Sequence, residues 1–240
     1  MTSTAGSDTP TIAAMTPPAE LERFDRVERL AHWTTAALFG VLMLTGAALY
    51  AGPISTLVGQ RYLVRTVHAG AGLILPLPLL IGLAGRWGRS LRRDVRRLGR
   101  FDDEDRRWLR RSTRDQSQLA KFNPGQKLNA AFFGSAIVVM LGTGIILKWF
   151  SFFSLSTRTG ATFVHDWVAL GIWISVLGHI FLALRDPDAL DGMRRGRVSA
   201  RWARTMRPRW YEAETGEAAA PVPAPVAPSA AGSGPPSGGH

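Results

Sequence analysis

Four histidines lie inside apolar stretches of the chain, at His32, His68, His165 and His179, while the fifth, His240, is the last residue. Ionisable side chains are rare in apolar segments of membrane length, and those that occur usually face a partner or a functional site. An imidazole can bind a metal ion or relay a proton. These four histidines are therefore the first candidates for chemistry.

The spacing of the last two histidines places them on one helical face. His165 and His179 are fourteen residues apart in the apolar stretch TFVHDWVALGIWISVLGHIFLAL, residues 162–184. At about 100° and 1.5 Å per residue, fourteen residues return to within roughly 40° of the starting direction and rise about 21 Å. One helix thus presents two imidazoles at opposite ends of a membrane-length segment.

The elements that carry these histidines are four apolar stretches, at about 30–51, 62–85, 128–150 and 163–184. Each is close to the ~20 residues that cross a bilayer as a helix. Continuous apolar runs of this length predict helices, because lipid leaves no partner for an unpaired backbone. We expect an all-α fold, an integral membrane four-helix bundle, with a kink at Pro76 and Pro78 in the second helix.

The distribution of lysine and arginine predicts the orientation. There are three before the first stretch, two in 52–65, fourteen in 86–127, two in 148–162 and eight from Arg185 onward. Basic connections stay in the cytoplasm, so both termini and the long 86–127 connection are predicted inside. The net charge of +11 then reflects contact with anionic membrane lipid, and nucleic acid is not expected as a partner.

The ends of the chain differ from the membrane domain, which we place at 21–212. Residues 1–20 and 213–240 are predicted to be disordered tails, the second rich in Pro, Ala and Gly. Residues 1–20 lack the apolar core of a signal peptide. The absence of cysteine excludes iron–sulfur clusters and covalently attached c-type haem from this chain, so any such centre is expected on a partner.

The predicted orientation sorts the four histidines into two depths. His32 and His179 fall near the cytoplasmic face, whereas His68 and His165 fall near the outer face. Two imidazoles on neighbouring helices can hold a b-type haem from both sides, so we predict two haem b groups stacked across the membrane. Asp166, beside His165, is either a hydrogen-bond partner of that ligand or an interfacial carboxylate facing water.

The chain resembles the cytochrome b (gamma) subunit of respiratory formate dehydrogenases, within the wider di-haem cytochrome b561 group. The resemblance covers about residues 23–212. The segments that carry it are RFDRVERLAHW at 23–33, TVHAGAG at 66–72, KFNPGQK at 121–127, FVHDW at 163–167, GHI at 178–180 and SARWARTMRPRWYE at 199–212.

The resemblance implies the same haem ligand pairs, His32 with His179 and His68 with His165. It also implies a menaquinone site beside the inner haem, whose residues correspond to Asn123, Gly125, Gln126 and His179. Read without the resemblance, the N-P-G sequence is a turn leading into the third helix. Pro124 stands where the family is expected to have a small residue.

The resemblance further implies the quinone-reducing subunit of an oxidoreductase complex in the bacterial inner (cytoplasmic) membrane. Electrons would come from an outside-facing iron–sulfur beta subunit, supplied by a molybdenum or tungsten catalytic alpha subunit that oxidises formate. They would pass through two b haems to menaquinone on the cytoplasmic side. This chain would not itself oxidise formate.

Two alternatives stay open from the sequence. A cytochrome b subunit of a nickel–iron hydrogenase, or of another quinone-linked oxidoreductase, would share the scaffold, because a fold says little about the electron donor. A haem-free metal or proton transporter could also use membrane histidines. It would place acidic residues inside the helices, where only Asp166 is found, near one end.

Overall fold

The computed structural model describes residues 19–53, 59–110 and 119–219. The described helices are α1 (Arg26–Tyr50), α2 (Arg61–Ile74), α3 (Leu77–Ala84), α4 (Arg89–Leu98), α5 (Asp103–Arg110), α6 (Pro124–Lys148), α7 (Leu155–Leu184), α8 (Pro187–Arg195), α9 (Ala200–Met206) and α10 (Pro208–Thr215). Two short strands, β1 (Glu20–Glu22) and β2 (Arg197–Ser199), and a 3-10 turn at Phe150–Phe152 complete the described elements.

Four helical segments are long and apolar enough to cross a membrane. They are Arg26–Tyr50, Arg61–Ala84, Pro124–Lys148 and Leu155–Leu184, which confirms the prediction of four spanning helices. Large apolar side chains such as Leu44, Ile81 and Val138 are more than two-thirds exposed. These side chains face outward from the bundle, as expected where lipid is the solvent.

The second membrane segment is broken where the two prolines stand. Helix α2 ends at Ile74 and α3 begins at Leu77, with Pro76 as the N-cap of α3. Proline lacks a backbone N–H and its ring crowds the preceding turn, so it interrupts a helix. The predicted kink is confirmed.

Side-chain caps fix where the membrane helices begin. Asp25 accepts from the backbone N–H of Glu28, and the Glu28 carboxylate accepts from the N–H of Asp25, which makes a reciprocal capping box at α1. Ser154 caps α7 by accepting from Thr157 N–H. Such caps satisfy backbone donors that have no partner in the first turn of a helix.

The bundle packs α1 against α2 and α3, α6 against α7, and α2 against α6. Halfway along it lies an aromatic layer, with Phe39 and Phe133 ring centres 5.4 Å apart and Phe132 beside Phe133 at 5.6 Å. Phe132 fills the space beside Gly171, where an added Cβ would meet its ring at 3.2 Å. This layer separates the two depths at which the histidines lie.

A small unit, which the sequence analysis did not anticipate, forms where the segment before α1 meets the segment after α8. Strands β1 and β2 pair antiparallel with Leu21 opposite Val198. Three-residue strands are too short to show an alternating pattern in sequence. The core of the unit consists of Leu21, Val198, Trp202, Ala203, Trp210 and Tyr211.

The domain boundaries predicted at 20 and 213 both fall inside described elements. Glu20 already belongs to β1, and α10 continues to Thr215, where Gly216 ends it with a φ of 74°. The helix extends because Trp210 Nε1 donates to Glu214 at 3.1 Å and Tyr211 donates to Glu217 at 2.9 Å. The rest of both predicted tails lies outside the described residues.

Candidate haem sites and quinone segment

The structure brings the four histidines together in two facing pairs. His68 on α2 faces His165 on α7, with ring centres 6.3 Å apart and planes inclined by 61°. His32 on α1 faces His179 on α7, at 6.1 Å and 62°. These are the pairs that the depth argument predicts, and we name them the outer pair (His68 and His165) and the inner pair (His32 and His179).

The separation within each pair fits one iron atom between the rings. A metal–nitrogen bond of roughly 2 Å and about 1 Å from nitrogen to ring centre, counted on both sides, gives about 6 Å between centres. The observed 6.1 and 6.3 Å match this value. The residues present therefore suit a haem held by two axial imidazoles, and their role as iron ligands remains a prediction.

The outer pair is oriented by two threonines. Thr45 Oγ1 lies 2.9 Å from His68 Nδ1, and Thr143 Oγ1 lies 2.9 Å from His165 Nδ1. Each hydroxyl donates its hydrogen to a backbone carbonyl one turn earlier, at 2.6 Å from Thr45 to Val41 and 2.8 Å for Thr143. With that hydrogen on the carbonyl, each threonine oxygen can accept from Nδ1–H, and this tautomer leaves Nε2 unprotonated and able to bind a metal.

The sequence analysis missed these two threonines, although a signal for them exists. Both stand before a glycine, in LTGA at 44–47 and GTGI at 142–145. An added Cβ at Gly46 would lie 3.4 Å from His68 Cε1, and one at Gly144 would lie 3.8 Å from His165 Cε1. The glycines thus bring each helix against the imidazole that its threonine contacts.

Asp166 is not the hydrogen-bond partner of His165 Nδ1. Its side chain is exposed, and within the described residues the hydrogen bond at His165 Nδ1 is the one with Thr143. The structure therefore favours the interfacial carboxylate that the sequence left as one of two interpretations.

The inner pair has no threonine contact among the described residues, and hydrogen bonds between α1 and the end of α8 position His32 instead. Trp33 Nε1 donates to the carbonyl of Met193 at 3.2 Å, and Arg29 donates to the carbonyl of Arg194 at 2.8 Å. These bonds fix α1 to the end of α8 next to His32. Across the described parts of the chain, neither imidazole of the inner pair has a hydrogen-bond partner.

The KFNPGQK segment begins α6 and carries three of the four predicted quinone residues. Asn123 Oδ1 accepts from Gln126 N–H at 2.8 Å, and Gln126 Oε1 accepts from Asn123 N–H at 2.9 Å. The segment therefore leads into the third membrane helix as the turn interpretation expects, but as a capped helix start, with Pro124 and Gly125 already helical. Both side-chain amide NH2 groups remain available to donate, and neither has a partner among the described residues. An added Cβ at Gly125 would lie 4.0 Å from the ring tip of Trp108, an ordinary van der Waals contact.

Two buried ion pairs hold this segment in place. Lys121 bonds to Asp94 on α4, and Lys127 bonds to Asp105 on α5. All four side chains are buried. The sequence analysis did not predict these pairs, because nothing in the sequence shows which lysine an aspartate meets.

More charge is buried around these pairs. Glu28 Oε1 accepts from Ser90 at 3.1 Å and lies 4.0 Å from Lys121 Nζ. Arg23 stacks over Trp202, with its guanidinium carbon 4.5 Å from the ring centre. Burial, together with the nearby Arg207 guanidinium, lowers the pKa of Arg23 to about 9. This end of the bundle thus contains a layer of buried, packed charges.

A membrane bundle that holds two facing histidine pairs at the distance of a shared iron has the architecture of a b-type cytochrome. In the part of the chain that the structure describes, no group of three or more His, Cys, Asp or Glu residues could instead hold a metal ion. The sequence matches the prokaryotic cytochrome b561 family over residues 23–196. The chain belongs to this family, which implies haem b and, with four apolar helices, a multi-pass bacterial membrane protein.

Curated relatives cover most of the chain. It is 26% identical over 199 residues to the formate dehydrogenase cytochrome b556 subunit of Haemophilus influenzae, covering 78% of this chain and 80% of the relative. It is 25% identical over 206 residues to the nitrate-inducible formate dehydrogenase cytochrome b556(Fdn) subunit of Escherichia coli, covering 80% and 91%. The cytochrome b556(fdo) subunit of the same organism is 24% identical over 203 residues, covering 79% and 90%.

Proposed function

We propose that the chain is the membrane-anchoring cytochrome b subunit of a formate dehydrogenase complex. It carries electrons from an outside-facing iron–sulfur subunit through two b haems to menaquinone at the cytoplasmic side of the inner membrane. The molybdenum or tungsten subunit of the complex oxidises formate, and this chain supplies the quinone-reducing end. The similarity to formate dehydrogenase cytochrome b556 subunits supports the choice of complex.

The observation that carries the proposal is the pair of ring separations, 6.3 Å and 6.1 Å, at two depths along one helix. Helix α7 contributes one ligand to each pair, and its neighbours α2 and α1 contribute the others. Haem supplies reversible one-electron transfer. The chain supplies the ligands, their orientation and the apolar surroundings that exclude water.

The quinone part of the proposal depends on donors beside the inner pair. The NH2 groups of Asn123 and Gln126 can donate to a quinone carbonyl while their oxygens cap α6. The buried pairs Lys121–Asp94 and Lys127–Asp105 keep both amides in place. Reduction of a quinone to a quinol takes two electrons and two protons, and the protons would enter from the cytoplasm.

The alternatives differ in donor or in cofactor. A hydrogenase cytochrome b, or a subunit of another quinone-linked oxidoreductase, would use the same histidines with a different partner. A haem-free transporter does not account for two facing pairs at iron-bridging distance.

Purification of the intact membrane complex tests the proposed function and both alternatives in one experiment. Under the proposal, reduced-minus-oxidised spectra show b-type haem at two per chain, an iron–sulfur and a molybdenum or tungsten subunit co-purify, and formate reduces the haems. Reduction by hydrogen instead of formate would assign the chain to a hydrogenase. A preparation without any reducible haem would overturn the cytochrome assignment itself.

A further inference from the structure

The outer and inner pairs differ in the hydrogen bonds on their imidazoles. Both imidazoles of the outer pair have a threonine oxygen at 2.9 Å from Nδ1. In the described residues, His32 and His179 have no such partner. The two contacts follow the same pattern. Thr45 on α1 contacts His68 on α2, and Thr143 on α6 contacts His165 on α7, so each threonine lies on the helix that precedes its histidine's helix in the chain.

A hydrogen bond on Nδ1–H changes what the other nitrogen offers to a metal. The acceptor draws the proton away from the ring and raises the basicity of Nε2 as a ligand. Stronger donation favours ferric over ferrous iron, so hydrogen bonding around an axial ligand tunes the reduction potential of a haem. Two such bonds on one iron act in the same direction.

We propose that Thr45 and Thr143 are positioning residues that make the outer haem harder to reduce than the inner one. The proposal rests on the cytochrome function given above. With both haems bound, one electron would pass downhill from ferrous iron held by the outer pair to ferric iron held by the inner pair, and no proton would move.

The distribution of charge acts in the same direction. The connection over 86–127 and the segment from Arg185 onward carry 22 of the 29 basic residues and 12 of the 18 acidic ones. Described parts of the second segment lie at the inner end of the bundle, where Arg29 and Trp33 bond the carbonyls at the end of α8. Positive charge near a haem stabilises the reduced form, which carries one more electron. The inner haem is therefore favoured as the acceptor by its surroundings as well as by its ligands.

Replacement of each threonine by valine tests the proposal, since valine keeps the shape and removes the hydroxyl. In the purified complex, spectroelectrochemistry gives the midpoint potential of each haem, and His68→Ala identifies the outer one by its absence. We expect Thr45→Val and Thr143→Val each to raise the outer potential. The reduction equilibrium constant should change about tenfold per lost bond, which is ~59 mV for one electron. The inner potential should stay constant.

Conservative and matched variants separate this effect from simple packing. Thr45→Ser and Thr143→Ser keep the hydroxyl and should keep the wild-type potential and the wild-type electron paramagnetic resonance signal of the ferric haem. Thr159→Val on α7 is the matched control. Among the described residues, the Thr159 hydroxyl bonds the carbonyl of Leu155 at 3.0 Å and no other group, so its loss should change neither haem.

Three results would overturn the proposal: an unchanged outer potential in both valine variants, an equal shift of both haems, or loss of the outer haem in the serine variants as well. Loss of the outer haem in the valine variants alone, with retention in the serine variants, supports the positioning role. Failure of the proposed function is separate, because it would appear as missing haem in the wild-type protein.

Discussion

His32 on α1 and His179 on α7 face each other across the bundle with ring centres 6.1 Å apart. The first and last of the four membrane helices thus meet in one site, at the end of the bundle where α1 begins. Helix α1 is held there because Trp33 and Arg29 bind the carbonyls at the end of α8. The inner site is therefore closed by the contacts between α1 and α8.

Pairwise loss of haem is the first expectation. Replacement of His32 or His179 by alanine should remove the same haem, and replacement of His68 or His165 should remove the other, because each iron needs both of its imidazoles. Haem content per chain, measured by pyridine haemochrome, should fall from two to one in every single variant. If His32→Ala and His68→Ala removed the same spectral component, the pairing would be wrong.

A large part of this arrangement could be predicted from the sequence. The fourteen-residue interval fixed one face of α7, and the arginine distribution fixed a relative depth for each histidine, so the two pairs followed without coordinates. Thr45 and Thr143 could not be found in that way. A threonine in a membrane helix usually bonds its own backbone one turn earlier, and only the packing of α1 on α2 and of α6 on α7 shows that these two also meet an imidazole.

The end of the bundle that holds the two strands and the buried ion pairs was the least predictable region, for a related reason. Its stability depends on long-range partners, such as Leu21 with Val198 and Lys121 with Asp94, which leave no periodic trace in the sequence. The positive-inside rule treats every arginine and lysine alike, although Lys121 and Lys127 are buried and paired.

Quinone reduction should depend on Asn123 independently of haem binding. Asn123→Ala removes the amide donor together with the N-cap of α6, so quinone reduction should slow by about tenfold, as expected for one lost hydrogen bond. Both haems should remain reducible by dithionite. Ser154→Ala removes the N-cap of α7 at the other end of the bundle and should leave quinone kinetics unchanged. Normal quinone kinetics in Asn123→Ala would place the site elsewhere.

The buried pair of Lys121 and Asp94 should be sensitive to the loss of one partner. Lys121→Met leaves the carboxylates of Asp94 and Glu28 buried without their ammonium group, which costs about 3–5 kcal/mol in comparable buried pairs. Thermal unfolding of the detergent-solubilised complex should show a clear loss of stability. The double variant Lys121→Met/Asp94→Leu should recover part of it.

An exposed ion pair provides the comparison for that experiment. Arg195 and Asp191 on α8 form a pair whose arginine side chain is 71% exposed. Exposed pairs contribute about 0–1 kcal/mol, so Arg195→Met should change the unfolding temperature little. Equal destabilisation by Lys121→Met and Arg195→Met would show that burial of the Lys121 pair does not matter for folding.

Gly196 should tolerate no side chain, because it both reverses the chain and approaches α1. It ends α8 with a φ of 90°, a conformation that costs an L-residue roughly 1–2 kcal/mol. An added Cβ would also lie 2.6 Å from the carbonyl oxygen of Phe24, whose own N–H bonds the carbonyl of Gly196 at 3.1 Å. We expect Gly196→Ala to lower the unfolding temperature and to weaken the inner haem site, since Phe24 leads directly into the helix of His32.

A substitution at Gly216 separates the two causes of destabilisation at Gly196, the backbone strain and the contact with Phe24. It ends α10 with a φ of 74°, but an added Cβ there would meet no atom within 4 Å. Gly216→Ala should therefore show the backbone strain alone, with both haems at wild-type occupancy. The excess destabilisation of Gly196→Ala over Gly216→Ala measures the contact with Phe24, and if the two variants unfolded alike with full haem content, the closure of the inner site by this turn would be disproved.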